Sequence, residues 1–322
     1  MAALSRGALG RLERVAAGSL PPLRRLLAER AALAAELARL RDTLPAPVPA
    51  AAGRTGGSLS GLVDPARYED PPWRALHEDL ARYALDRHCF RNLSGAIHRK
   101  GYEWTHCLFG LRELGMLRPA ARALGVGAGR EPVIFWLAAH IAEVVATDRY
   151  GDAAWSSGGG READRAALAA ARRACPPGLD QARIRFEDAD GTALPYPDAS
   201  FDFAWSLSSI EHFGGHGAAA KALSEMARVV RPGGVVAVAT EVLLLEEYRH
   251  PEYFTRAEIA ALLAACPALA LVSPIDYDCL PVAYLVDQIV VPAGVDRRRR
   301  HVVLNDGAVQ WSSLVLFLRR RD

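Results

Sequence analysis

From Pro119 onward, short apolar runs alternate with helical patterns, and this alternation constrains the fold more than any other feature. Seven apolar runs predict strands, at residues 122–126, 144–147, 183–186, 201–206, 235–240, 269–272 and 313–318. Helical periodicity falls between several of them, at residues 132–141, 161–175, 218–230 and 255–266. Strands interleaved with helices predict an α/β fold, with a mainly parallel sheet covered by helices on both faces.

Three segments precede this domain, which we assign to residues 119–322. Residues 1–45 contain leucines at heptad spacing, which favours either a coiled coil that pairs chains or an amphipathic helix packed on its own domain. Residues 46–64 are rich in Pro, Ala, Gly and Ser, a composition typical of a flexible linker. Residues 65–118 carry apolar and aromatic residues at helical spacing and predict a helical lead-in or cap.

Composition excludes several classes of protein. The net charge of +2 argues against nucleic-acid binding as the main task. We expect no membrane span because there is no apolar run of about 18 residues. Charged residues interrupt the N-terminus, so a secretion signal is not expected. The five cysteines are scattered, without a CxxC pair or a metal-ligand spacing, which predicts free thiols in the cytoplasm and no metal site.

The first predicted strand of the domain runs into a glycine-rich turn with Gly125, Gly127 and Gly129. Such a turn lets a ligand approach the backbone at the carboxyl edge of an open sheet. The dinucleotide fingerprint GxGxxG would need glycine where Arg130 or Pro132 stands. This mismatch disfavours an NAD(P)-dependent oxidoreductase and points to a ligand without a pyrophosphate.

Acidic residues follow the next two strands. Asp148 ends the second strand, where a carboxylate can accept hydrogen bonds from both hydroxyls of a ribose. Asp190 and Gly191 follow the third strand and can read an adenine edge, through the carboxylate and a backbone N–H. The order of these features predicts a nucleoside-like ligand.

Taken together, the loop at Gly127 and Gly129, Asp148, the segment DGTALPYPDASFD and the segment EMARVVRPGG resemble class I S-adenosylmethionine-dependent methyltransferases of type 11. The resemblance covers Pro119 to about Val242. It implies a Rossmann-like methyltransferase fold with a seven-stranded sheet and S-adenosylmethionine as the cofactor. We also count Gly125, the first glycine of the turn, and Ser206, at the end of the fourth strand, as candidates for the cofactor site.

Two positions depart from the family pattern. The family usually has an acid where Gly125 stands, and often a third glycine where Glu131 stands. Glu131 either supplies negative charge near the cofactor's amino group or sulfonium, or favours the start of the next helix. The resemblance further implies that Lys100 and Trp104, in the helical lead-in, cover the cofactor's methionine end; the alternative is a solvated polar face beside a core tryptophan.

Glu211 and His212 follow the fourth strand, where the family places its reacting atoms, and they are the catalytic candidates. His212 is either a general base for a hydroxyl acceptor or a packing residue. Tyr248, His250 and Tyr253 are substrate candidates, because such enzymes bind acceptors there. We therefore expect methyl transfer, at oxygen, to a small-molecule or glycan-like acceptor. The alternative is an assembly module that has lost the activity.

Overall fold

The computed structural model describes residues 57–84, 87–90, 97–150, 165–286, 288–291 and 300–322, together with Ala28 and Ala32. Ala28 and Ala32 are helical and exposed. The rest of the predicted N-terminal helix, and the predicted linker up to residue 56, lie outside the described residues. Within the described residues, no helix combines the length and apolar character that crossing a membrane requires.

One sheet dominates the described part of the chain, with the strand order β4-β3-β2-β5-β6-β10-β9-β8 and with β1 and β7 also paired to β10. The strands are β1 (Gly61–Leu62), β2 (Arg122–Val126), β3 (Glu143–Asp148), β4 (Ile184–Asp188), β5 (Phe201–Leu207), β6 (Val230–Leu243), β7 (Leu269–Leu271), β8 (Ile289–Val290), β9 (Leu304–Asn305) and β10 (Gln310–Arg320). Strands β2 to β6 run parallel, and β10 is antiparallel to β6. The expected mainly parallel α/β architecture is confirmed.

The sheet has ten strands in the described residues, so the expected number of seven was wrong. The three strands without a predicted counterpart, β1, β8 and β9, are each two residues long. Runs this short have no alternation to detect, and they form only because a neighbouring strand supplies hydrogen-bond partners.

The helices are α1 (Pro71–Leu80), α2 (Arg99–Glu113), α3 (Pro132–His140), α4 (Arg165–Ala174), α5 (His216–Val229), α6 (Arg256–Ala264) and α7 (Val282–Val286). Local sequence explains several starts. Proline occupies the first turn of α1 and α3, where its missing N–H costs nothing. Thr255 and Glu258 form a capping box at the start of α6. Helix α2 packs against β6 and β10, next to the sheet's carboxyl edge.

Residues 57–64 are folded, although composition predicts a linker there. Gly61 and Leu62 pair with Val315 and Leu314 of β10. The buried Ser60 hydroxyl accepts a hydrogen bond from the Phe317 N–H at 3.0 Å. Partners more than 200 residues away hold this segment, and no local pattern reports them.

Candidate cofactor and acceptor site

The glycine turn after β2 holds two residues in the left-handed region, Gly127 at φ +64° and Gly129 at φ +49°. A Cβ at Gly127 would lie 2.6 Å from the Ser209 Cβ, so a larger residue is excluded by space as well as by backbone conformation. The Gly129 N–H donates to Asp148 Oδ2 at 2.8 Å. The turn and the acid after β3 are therefore one connected unit.

Gly125 has a packing role that the sequence pattern does not predict. A Cβ at this position would lie 2.5 Å from Trp205 Cζ2 and 2.8 Å from the Ala128 Cβ. Its place in β2 therefore allows the fully buried Trp205 ring to pack there. The structure accounts for this glycine by core packing, and its assignment to the cofactor stays a prediction.

Four residues at the carboxyl edge form what we call the acidic rim: Gly127, Asp148, Asp190 and Gly191. Asp148 is 9% exposed, and its Oδ1 accepts from the Arg149 N–H at 2.7 Å. Asp190 Oδ1 accepts from the N–H and the hydroxyl of Thr192, both at 2.8 Å. These two hydrogen bonds hold the pKa of Asp190 below its ordinary value, so the rim is negatively charged at neutral pH.

The acidic rim lines a cavity of about 160 Å³, together with Arg149, Ala189, Ser209, His212 and Phe213. A Cβ at Gly191 would lie 2.5 Å from the Phe213 ring, so that glycine brings the backbone against the aromatic wall. The cavity thus offers carboxylates, backbone and an aromatic ring within one space. This combination suits a nucleoside.

Glu131 precedes α3 at its N-cap position, but its side chain makes no capping hydrogen bond. It is 5% exposed, and its Oε2 accepts from the Trp205 Nε1–H at 3.1 Å. The expected interaction with the start of α3 is thus not a capping hydrogen bond, and stabilisation of the carboxylate by the helix dipole stays a prediction. Its role toward the cofactor stays a prediction.

Behind the rim lies what we call the buried charge network. It consists of Arg99 and Glu103 from α2, Glu211 from the segment after β5, and Glu241 from β6. Arg99 contacts Glu103 at 3.0 Å and Glu241 at 2.5 Å. Glu103 is fully buried and also accepts from the hydroxyls of Ser208 and Ser313. Burial raises the pKa of Glu103, but its cationic neighbours and these hydroxyls bring it below the ordinary value.

Glu211 differs from the other acids of the network. Its Oε2 accepts from the Thr240 hydroxyl at 3.0 Å, and its Oε1 has no hydrogen-bond partner among the described residues. Complete burial, and then the nearby Glu241 carboxylate, raise the pKa of Glu211 to about 8. Glu211 is therefore mainly protonated at neutral pH.

His212 joins the two regions. It lines the cavity of the acidic rim, and its Nδ1 lies 3.3 Å from Glu252 Oε2. Atoms of Glu211, His212 and Glu241 lie within 4.8 Å of one another. A carboxylate beside one ring nitrogen orients the imidazole, and this leaves the other ring nitrogen to act as a general base.

The remaining candidates lie nearby in the fold but outside the cavity lining. Lys100 pairs with Glu103 at 3.3 Å, and Trp104 stacks on Phe90 with ring centroids 5.7 Å apart. The Ser206 hydroxyl is buried and has no hydrogen-bond partner within the described residues. The cofactor roles of all three stay predictions.

The three substrate candidates belong to one aromatic group. His250 stacks on Tyr253 with centroids 3.8 Å apart, and Tyr253 lies 4.8 Å from Trp311. Tyr248 and Tyr253 pack on the apolar cluster that contains Leu243 and Trp311. Burial raises the pKa of Tyr253, so its hydroxyl is a donor at any physiological pH.

Sequence reasoning missed Arg99, Glu241 and Glu252. Arg99 and Glu103 are four residues apart, which places them on one helix face. That spacing is a usable signal that the two side chains meet, although it does not say whether they are buried. Nothing local indicates that Glu241, inside an apolar strand, faces Arg99.

Part of the chain is similar to proteins of known family. Residues 124–238 match the family described as "Methyltransferase domain". The chain is 44% identical over 62 residues to the 27-O-demethylrifamycin SV methyltransferase of Amycolatopsis mediterranei, which covers 19% of this chain and 22% of that protein. It is 40% identical over 65 residues to an O-methyltransferase of Pyrenophora dematioidea, covering 20% and 23% of the two chains.

Among solved structures, the [4+2]-cyclase SpnF aligns at a TM-score of 0.49 and 17% identity, covering 81% of this chain and 99% of that one. The chain spans about a fifth of the length of the curated relatives it matches. The matched segment contains the glycine turn, the acidic rim and most of β6. This segment is a class I S-adenosylmethionine-dependent methyltransferase domain, as its motifs predict.

The residues present fit the cofactor of this family. Asp148 would hold the ribose hydroxyls, while Asp190 and the Gly191 N–H would take the adenine edge. Gly127 has no side chain, so the backbone there can approach the cofactor closely. The fit rests on the observed cavity, in which these four residues share one space.

Proposed function

We propose that this protein methylates a hydroxyl oxygen of a small-molecule or glycan-like acceptor, in the cytoplasm. The observation that carries the proposal is the shared cavity, where His212 lies beside the two carboxylates suited to a nucleoside. The partial match to an O-methyltransferase supports oxygen as the methylated atom. Five free cysteines fit a reducing compartment.

The cofactor, when bound, supplies an electrophilic methyl group on a sulfonium. The chain's own residues must then hold the acceptor in line and accept its proton. His212 takes that proton at Nε2, while Glu252 holds the Nδ1–H and orients the ring. Close alignment of the reacting atoms contributes about 7–11 kcal/mol in well-oriented systems, so positioning is the larger share of the rate.

Glu211 supports this step by position. In its protonated form it presents a hydroxyl donor within 4.8 Å of His212, and it keeps a second negative charge away from Glu241. Tyr253 and His250 form an aromatic wall for the acceptor. Arg99 holds Glu241 in place.

Isothermal titration with S-adenosylhomocysteine tests the cofactor site, run beside NAD and beside an Asp148→Ala variant. We expect micromolar binding of S-adenosylhomocysteine alone and a loss of about 10- to 100-fold in the variant, because a charged hydrogen-bond acceptor for the ribose is removed. Binding of NAD in preference, or unchanged affinity in the variant, would contradict the proposed site.

A homo-oligomer formed through residues 1–45 is part of the proposal and rests on the heptad pattern alone. Deleting these residues should reduce the mass measured by light scattering to that of a monomer. If the oligomer persists after the deletion, the helix does not pair chains.

A further inference from the structure

A second cluster of polar side chains lies away from the cavity, at the start of α2. His88 and Cys89 belong to a short 3-10 helix, Arg87–Phe90, and His98 is the N-cap residue of α2. One ligand atom from each lies within 4.8 Å of the other two. Cys89 Sγ is 3.3 Å from His88 Nε2 and 3.8 Å from His98 Nε2.

The two sulfur–nitrogen distances are close to those in a tetrahedral zinc site. Zinc binds thiolate at about 2.3 Å and imidazole nitrogen at about 2.0–2.1 Å, so a tetrahedral angle separates sulfur from nitrogen by about 3.6 Å. The two observed separations fall on either side of that value. Shifts of a few tenths of an ångström would bring both sulfur–nitrogen separations to that value.

The packing that brings the three residues together is close. A Cβ at Gly101 would lie 2.0 Å from the Cys89 carbonyl oxygen, so this glycine lets the 3-10 helix lie directly on α2. The His301 ring stacks on His98 with centroids 4.1 Å apart. The His301 N–H also bonds to the Ile97 carbonyl oxygen at 2.8 Å, and this fixes the backbone before His98.

We propose that His88, Cys89 and His98 bind one Zn²⁺, with the fourth position open to water. Two imidazoles and one thiolate form a donor set that favours zinc over the hard cations Mg²⁺ and Ca²⁺. The ion would join the segment before α2 to the N-cap residue of that helix.

The site would also act on the buried charge network. Arg99 follows His98 directly, and Glu103 lies one helical turn further. An ion bound to His98 would fix the helix start from which Arg99 reaches Glu241. The two cations next to His98, Arg99 and Lys100, are balanced by the two carboxylates of Glu103 and Glu241.

Binding has one local cost. A metal on Nε2 of His98 requires the ring proton on Nδ1, which now accepts from the Lys100 N–H at 3.2 Å. That capping hydrogen bond would be given up. The bond is at the long end of the usual range, so the metal replaces a weak contact.

Titration of metal-free, full-length protein with Co²⁺ tests the proposal, and it requires no methyl transfer. We expect saturation at about one Co²⁺ per chain, with a thiolate-to-cobalt charge-transfer band and the intense visible bands of tetrahedral cobalt. Added Zn²⁺ should abolish both sets of bands. Absence of the charge-transfer band in folded protein would overturn the site.

Cys89→Ser should abolish the charge-transfer band. Cys107→Ser is the matched control, because it removes another buried thiol, which lies on α2 itself. A band that survives in Cys89→Ser, or disappears in a folded Cys107→Ser, would overturn the assignment. If Cys89→Ser does not fold, His88→Asn decides, because His88 is only half-buried. It should weaken Co²⁺ binding at least tenfold, and an unchanged affinity would contradict the site.

Discussion

The acidic rim and the buried charge network lie at the same edge of the sheet, yet they differ in how the chain specifies them. The rim is built by turns that directly follow strands, and hydrogen bonds to nearby backbone fix its carboxylates. The network joins α2 to strands more than 100 residues away. The rim is therefore a binding surface specified by local motifs, whereas the network is a charge arrangement that exists only in the folded chain.

The difference also concerns energy. The rim's carboxylates border a cavity and can exchange water for a ligand. The network's charges are out of water and are stable only while each has its partner. We therefore expect substitutions in the rim to change affinity, and substitutions in the network to change stability first.

Among these predictions, Arg99→Met should have the largest effect, and that effect is on stability. Removing the guanidinium leaves Glu103 and Glu241 buried without their main counter-charge, which should lower the free energy of unfolding by about 3–5 kcal/mol. Urea unfolding measures this. Arg112→Met is the control, because the Arg112–Glu113 pair is largely exposed and should contribute less than about 1 kcal/mol. Equal losses in the two variants would remove the distinction between network and surface pairs.

His212→Ala should reduce turnover about 100-fold at a saturating acceptor, because the acceptor's proton loses its base. Affinity for S-adenosylhomocysteine should change little, since Asp148 and Asp190 remain. Rate measurements on the first acceptor found by panel screening provide the test. The matched control is His140→Ala, at the C-terminal end of α3. Full activity in His212→Ala would show that His212 is not the base.

Gly125→Ala should destabilise the protein by about 1–3 kcal/mol, because the new methyl group overlaps the Trp205 ring. Gly217→Ala is the opposite case: nothing lies within 4 Å of its Cβ position in α5, so it should stabilise by about 0.5–1 kcal/mol. Thermal melts measure both. A stable Gly125→Ala variant with lost cofactor affinity would instead make Gly125 a binding residue.

Glu211→Gln should change how stability depends on pH. The pKa of Glu211 is raised to about 8 in the folded protein, so folding keeps a proton that the unfolded chain releases. This contribution to stability is complete below the ordinary carboxyl pKa and is lost as pH rises towards 8, by up to about 1.4 kcal/mol per pH unit. Urea unfolding between pH 5.5 and pH 7.5 should fall more steeply in the wild type than in the variant. Parallel slopes would mean that Glu211 is ionised in the fold.

Much of the rim was predictable. The strand ends, Asp148, Asp190 and the glycine turn follow from local patterns, because turn geometry and strand position depend on neighbouring residues. The observed strand boundaries differ by a few residues from the predicted ones. For example, β6 runs from Val230 to Leu243, whereas the apolar pattern predicted a strand at 235–240.

The sequence by itself determined the alternating α/β order, the family of the domain and the residues that form the acidic rim. Only the tertiary structure decided that Gly125 accommodates Trp205, that Glu252 lies beside His212, and that Arg99 meets Glu241. The physical reason is the distance along the sequence between the residues that interact. Turns and strand ends are set by bonds between near neighbours, whereas a buried ion pair depends on which distant elements exclude water from it.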